Sequence, residues 1–325
     1  MTHAKEQTAA PGTHPETAAR RPPPLPTARV YEEWPFDAAE AKRRQAETAS
    51  ALRIPVQKAI RLGQGVAIRM VLIPAGEFEM GSPPWEHDRG GDEPLHRVRI
   101  TRPFYLGRHP VTQEQWQCVV GSNPSWFKGD KHPVEQISWE DCQAFVEKAN
   151  QCTGKELFAL PTEAQWEYAC RAGKSGRFDF GDSPASLDKC AWYSSGLHDA
   201  THPVGATPPN AWGLYDMTDH VGEWCADWYG EAYYECSPQD DPGGPEAGRC
   251  RVLRGGFWYP IPRITRFACR RSARPTYRCY DVGFRVAASI GGNPGAVGAE
   301  TPKSPCGDPA PARHVPSQPK GESNE

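Results

Sequence analysis

The sequence predicts an α+β domain. Three observations carry this: strand-like runs between Val66 and Leu106, three helix starts marked by one shared device between Thr112 and Trp166, and short apolar pieces broken by Gly, Pro and Asp from Asn210 onward. Helices early in the chain and an irregular sheet late in it are the order an α+β domain gives.

Taking the elements in order, residues 1–33 include Arg20-Arg21-Pro22-Pro23-Pro24 and few aromatics, and residues 289–325 run through Gly, Pro, Ser and Lys. Neither stretch can bury enough apolar surface to offset chain entropy, so both ends are expected to be disordered tails. Residues 34–65 read as a lead-in, in which Phe36 to Arg53 is rich in helix formers but mostly polar and predicts one exposed helix. The domain proper is placed at residues 66–288, long enough for a single core. Val66 to Ile73 predicts a strand that stops at Pro74-Ala75-Gly76, and Arg97 to Ile100 and Phe104 to Leu106 predict two more. Thr112 with Gln115, Ser138 with Asp141 and Thr162 with Gln165 each place a hydroxyl three residues before a side chain that reaches back to the cap. Behind them, Trp116, Val119 and Val120, then Trp139, Cys142, Phe145, Val146 and Ala149, then Trp166, Ala169 and Cys170 fall at helical spacing.

No apolar run has signal-peptide character or the length of a membrane span, so a cytoplasmic protein without membrane association is expected. The eleven cysteines form no CxxC pair, which favours reduced thiols over a disulfide framework or a structural zinc site. Net charge is −3, but Arg251 to Arg285 holds nine arginines against the single acid Asp281. Internal pairing with the acidic remainder accounts for such arginines, because the guanidinium fork suits carboxylates. No nucleic-acid-binding motif accompanies them, and nucleic acid is not expected as a partner. His198 and His202 have an H-x3-H spacing, but Pro203 and the neighbouring Gly and Asp favour a loop over a metal-binding helix face.

The blocks Ile73-Pro74-Ala75-Gly76-Glu77-Phe78, Pro110-Val111-Thr112, Pro133-Val134, Leu160-Pro161-Thr162-Glu163-Ala164-Gln165-Trp166-Glu167-Tyr168, Gly213-Leu214-Tyr215-Asp216-Met217, Arg251-Val252-Leu253-Arg254-Gly255-Gly256 and Gly283-Phe284-Arg285 occur in a fixed order. Together they resemble the formylglycine-generating-enzyme, or sulfatase-modifying-factor, family over about residues 66 to 288. The resemblance implies a sulfatase-modifying-factor variant of the C-type-lectin fold, low in regular secondary structure, with a small antiparallel sheet and a few helices.

The family's oxidases hold Cu(I) with two thiolates in a Cys-x4-Cys pair soon after the Gly-Gly step, and soft sulfur ligands select Cu(I). Here Pro260 and Thr265 stand near those positions, so copper is not expected. Cys269 and Cys279 are the nearest thiols and the weak alternative for a catalytic pair. The resemblance also implies a structural calcium site on Asp216, Asp219, Val221 and Glu223, with Asp219 standing where the family has glycine.

From Gly255 to Ser289 there is no Lys, Glu, Gln or Met, and aromatic, aliphatic and arginine residues dominate. That mixture is enriched at binding hot spots. The expected contact set is Phe257, Trp258, Tyr259, Ile261, Ile264, Phe267, Cys269, Arg271, Tyr277, Cys279 and Tyr280. Its composition is similar to that of the family's variable proteins, whose ligand-binding residues are diversified by retroelements. Two functions compete: a non-catalytic protein presenting a lectin-like surface to a protein or peptide, and a formylglycine-generating or related oxidase with an unusual metal site. The sequence leaves the ligand and the oligomeric state open.

Overall fold

A computed structural model describes residues 28–154, 157–179, 200–218, 220–256 and 263–290. Helix α1 (Ala38–Leu52) is capped by Asp37 and packs one face, Ala41, Arg44, Gln45, Thr48, Ala49 and Leu52, inward. It is therefore a docked helix and not the exposed one its polarity predicts; Gln45 Nε2 donates to Leu72 O and Trp212 O, at 2.9 and 3.0 Å.

Strand β1 (Gln57–Gly63) pairs antiparallel with β2 (Val66–Ile73) through a two-residue turn at Gln64-Gly65, both at positive φ. Positive φ at both turn residues matches the twist of a hairpin. The lead-in thus supplies a sheet strand, and the expected domain start at residue 66 falls inside a hairpin. Tyr31, assigned to a disordered tail, is buried and bridges to Gly76. Ser289 is likewise buried, and its N–H donates to Leu157 O at 3.1 Å, so neither tail boundary holds at the residue predicted.

Beyond β2, β3 (Gly76–Met80) pairs with β4 (His96–Ile100), and β5 (Phe104–Gly107) returns to β2. Helices α2 (Gln113–Val120), α3 (Trp139–Thr153) and α4 (Glu163–Arg171) each begin with the complete reciprocal cap predicted for them. Between the last two lies β6 (Phe158–Ala159). The C-terminal half adds β7 (Gly222–Trp228), β8 (Arg251–Arg254), β9 (Arg271–Ala273), β10 (Val282–Gly283) and β11 (Ala287–Ala288). The larger sheet runs β1-β2-β5-β11-β6 and a second runs β10-β7-β8-β9.

Apart from the exposed Arg69, strand β2 is apolar because most of it is covered on both faces of the sheet. Ile68, Met70 and Leu72 join one core with Trp116, Phe145 and Phe284; Val71 and Ile73 join the other with Trp166, Tyr168 and Trp212. Trp116 stacks on Phe145 at 5.3 Å in the first core. Among the described residues, no helix is long and apolar enough to cross a membrane.

Candidate functional site

The basic stretch from Arg251 to Arg285 is largely consumed inside the fold. Arg270 forks onto Glu163 at 2.8 and 2.9 Å. Arg266 reaches Glu86 and Glu93 at 2.7 and 2.6 Å, and Arg278 reaches Asp141 at 2.9 Å. Arg251 stacks between Trp139 and Trp228. Arg254, fully buried, ion-pairs with Glu167 and donates to the carbonyls of Phe267, Ala268 and Cys269 at 2.9 to 3.1 Å. One guanidinium at the end of β8 thereby fastens the chain as it returns from the segment after Gly255-Gly256.

Of the expected contact set, Phe257, Trp258, Tyr259 and Ile261 lie outside the described residues, as does Pro260. The others separate into two neighbourhoods. Ile264, Phe267 and Cys269 lie on the return of the segment; Phe267 N donates to Arg177 O at 3.0 Å, and Arg177 lines a cavity of about 490 Å³ with Trp85 and Leu95. Phe267 is 1 % exposed with Arg171 over its ring, and Cys269 is 8 % exposed. Both therefore turn into the fold, with their carbonyls held by Arg254.

Arg271, Tyr277, Cys279 and Tyr280 form the second neighbourhood. The Phe127 ring meets Tyr280 edge-on at 6.1 Å. Beside it Trp126 is 71 % exposed, and Tyr277 is 39 % exposed. Trp126 and Phe127 were not among the expected residues. Their signal was available as two adjacent aromatics in the polar loop after Asn123-Pro124-Ser125, where no core-facing period explains them.

Cys269 and Cys279 sit in different surroundings, the first against Arg266, Glu93 and Arg254, the second against Tyr277 and Asp281. Burial raises both thiols, and the hydrogen bond from Cys279 to Asp281 raises that one further. A raised thiol is a poor Cu(I) ligand, because the thiolate is the binding form. No group of three or more His, Cys, Asp or Glu placed to hold a metal occurs among the described residues. Cys236 is disulfide-bonded, while the other eight described cysteines are free. The expectation of uniformly reduced thiols is corrected there, since separation along the chain does not report proximity in space.

The calcium set does not fit an ion as arranged. Glu223 accepts from Arg285 Nε and Nη2 at 2.6 and 2.7 Å and from Trp166 Nε1 at 2.7 Å, so a guanidinium occupies the charge a cation would need. Asp216 accepts from Gly205 N at 2.7 Å, and burial raises its carboxyl to about 6 against the Gly205, Arg285 and Thr207 interactions that lower it. Val221 is buried beside Gly283, and Asp219 lies outside the described residues. His202 stacks flat on His220 at 3.6 Å, and His198 lies outside the described residues.

Residues 61–290 match the family model of the sulfatase-modifying factor enzyme 1-like domain. The formylglycine-generating enzyme of Streptomyces coelicolor is 31 % identical over 67 % of this chain and 88 % of its own length. The serine/threonine-protein kinase pkn1 of Chlamydia pneumoniae is 33 % identical over 70 % of this chain, which spans only 39 % of that relative. Among solved structures, Treponema denticola variable protein 1 superposes with a TM-score of 0.65 at 30 % identity, covering 72 % of this chain and 99 % of that one.

Proposed function

The chain belongs to the sulfatase-modifying factor enzyme 1-like family and yet has no cysteine from Gly255 to Ala268, and on that premise we propose that it is a non-catalytic member that binds a protein or peptide. The absence of a thiol pair from this segment carries the reading. Proline and threonine where the oxidases have sulfur leave no soft donor for Cu(I). The binding surface is Trp126, Phe127, Arg271, Tyr277 and Tyr280. Rigid aromatics beside arginine bind with little entropy cost, which supports recognition over catalysis. The likeness in sequence and fold to a protein titled as variable supports the same reading.

An anaerobic Cu(I) titration, paired with an assay for oxygen-dependent aldehyde formation on a thiol peptide, separates this from the oxidase reading. Neither stoichiometric copper nor aldehyde is expected. Tight one-to-one copper binding lost on Cys269→Ser or Cys279→Ser overturns the proposal. Sequencing copies of the gene within one population gives a second check: changes concentrated at Tyr259, Ile261, Tyr277 and Tyr280, with Phe267 and Arg254 constant, are expected of a diversified binding face.

A further inference from the structure

Where the paired strands β2 and β5 run out past the core, two arginines face each other. Met70 stands opposite Gly107 in the ladder, and Arg108 N donates to Arg69 O at 2.8 Å, so Arg69 and Arg108 are the next opposed pair. Directly opposed residues share a face of the sheet. Two positions back on that face Val71 and Leu106 are fully buried, whereas Arg69 is exposed and Arg108 half-buried. On the neighbouring strand Ala59 stands opposite Arg69, and the exposed Arg61 follows it on the same face.

The arginines of the C-terminal stretch meet internal carboxylates, but these do not. Arg61, Arg69 and Arg108 form no ion pair among the described residues. Arg108 lies over the Tyr215 ring at 4.7 Å and donates from Nη2 to the Tyr215 hydroxyl at 2.8 Å, while its Nε–H is buried with no partner among the described residues. A phenol positions a guanidinium without neutralising it. The adjacent His109 senses the same imbalance: after burial, the charges acting on its imidazole are those of Arg285, Arg108 and Arg69, all of them cations. Arg285 already has its counter-charge in Glu223. Like charges set opposite each other on a sheet cost stability. An anion between Arg69 and Arg108 therefore relieves a repulsion as well as gaining contacts.

We propose that Arg69 and Arg108 form an anion site that takes a phosphate monoester, its terminal oxygens spanning the two guanidinium forks and Arg61 adding charge at the rim. Charge matching favours phosphate over carboxylate. A phosphate monoester carries roughly −1.5 to −2 at neutral pH and presents three acceptor oxygens, enough for both forks, whereas one carboxylate offsets a single guanidinium. The chemistry is the same for a free phosphate compound and for a phosphorylated side chain. The site shares no residue with the aromatic surface and does not rest on the binding reading.

The test is proton–nitrogen NMR of the arginine Nε–H groups in the full chain, isotope-labelled at arginine and titrated with phenyl phosphate at constant ionic strength. Arg69→Gln and Arg108→Lys assign the two signals. Both should shift together and saturate with one midpoint, acetate should need at least about tenfold more, and Arg69→Gln should raise the phenyl phosphate midpoint about tenfold, read at Arg108. A phosphoserine peptide that saturates well below phenyl phosphate assigns the site to a phosphorylated side chain, and inorganic phosphate that matches or exceeds both assigns it to a free compound; either result supports the site. Shifts that never saturate, acetate as effective as phenyl phosphate, or an unmoved midpoint in Arg69→Gln overturn it. Arg69 is exposed, so that variant decides even if Arg108→Lys fails to fold. A failed anion site leaves the aromatic surface standing, and a failed search for a ligand at the aromatic surface leaves the anion site standing.

Discussion

Arg285 lays its guanidinium fork across Glu223, with Nε 2.6 Å from one carboxylate oxygen and Nη2 2.7 Å from the other, and both side chains are fully buried. The same guanidinium donates to Gly107 O and Tyr215 O at 3.0 Å, so it joins the end of β5 to the loop before β7. Removing the carboxylate would strand a buried cation. Glu223→Gln should cost about 3–5 kcal/mol, seen as a fall in Tm of roughly 10 °C in a domain of this size. In the unmodified protein, millimolar calcium or a chelator should leave Tm unchanged. A calcium-dependent rise in Tm that Glu223→Gln abolishes would show that the carboxylate leaves Arg285 for an ion.

Asp227 is buried and its Oδ2 accepts from Glu163 N at 2.7 Å at the start of α4. Burial first, then the nearby Glu163 carboxylate, raise its carboxyl to about 8. The folded chain therefore holds a proton that the unfolded chain releases above the ordinary carboxylate range, and stability falls as pH rises from about 4 to about 8. Asp227→Asn keeps an oxygen for Glu163 N and has no charge to bury. Urea melts should show the variant gaining on the unmodified protein at pH 8 relative to pH 5; parallel curves would place the proton elsewhere.

His109 lies against the Tyr215 ring at 4.9 Å, and burial, followed by the Arg285 charge, lowers its imidazole to about 4. Burial likewise lowers His202 to about 4. Here the unfolded chain takes up the proton first, so stability is lost as pH falls from about 6.5 towards 4. His109→Phe preserves the ring contact and removes one of these protons. It should gain on the order of 1–2 kcal/mol relative to the unmodified protein between pH 7 and pH 5. An unchanged difference at the two pH values would mean that His109 is not held neutral.

Local chemistry was legible in the sequence; three-dimensional meeting points were not. Thr112, Ser138 and Thr162 announced their helices because a cap is a contract between residues three apart. The placement of Arg254 against Glu167 and three carbonyls could not be read, since its partners lie 13 to 87 positions away. Strand β1 was hidden because its inward-facing positions are Lys58, Ile60 and Leu62, of which only Leu62 is buried, so the alternation carries a weak apolar signal. In the contact set, composition identified the right segment, but composition cannot say that Phe267 turns inward while Tyr277 turns out. The loop bearing Trp126 was overlooked for a related reason. It becomes part of the surface only where Phe127 meets Tyr280, about 150 residues along a chain that long-range contacts fold back on itself.

Thiol reactivity tests the binding reading at its base. Cys152 is free and exposed, whereas Cys142, Cys170 and Cys225 are free and buried, with burial holding all three thiols well above the ordinary range. Cys269 and Cys279 are also raised, Cys269 nearly enclosed and Cys279 partly open but donating to Asp281. Alkylation depends on the thiolate and on access. With iodoacetamide at neutral pH and peptide mass spectrometry as the readout, Cys152 should be modified first and Cys279 at least about tenfold more slowly. Cys269 should follow only with local opening, and Cys142, Cys170 and Cys225 only with unfolding. Equal and rapid modification of Cys269 and Cys279, suppressed by added Cu(I), would reveal two thiolates acting together and return the chain to the oxidases.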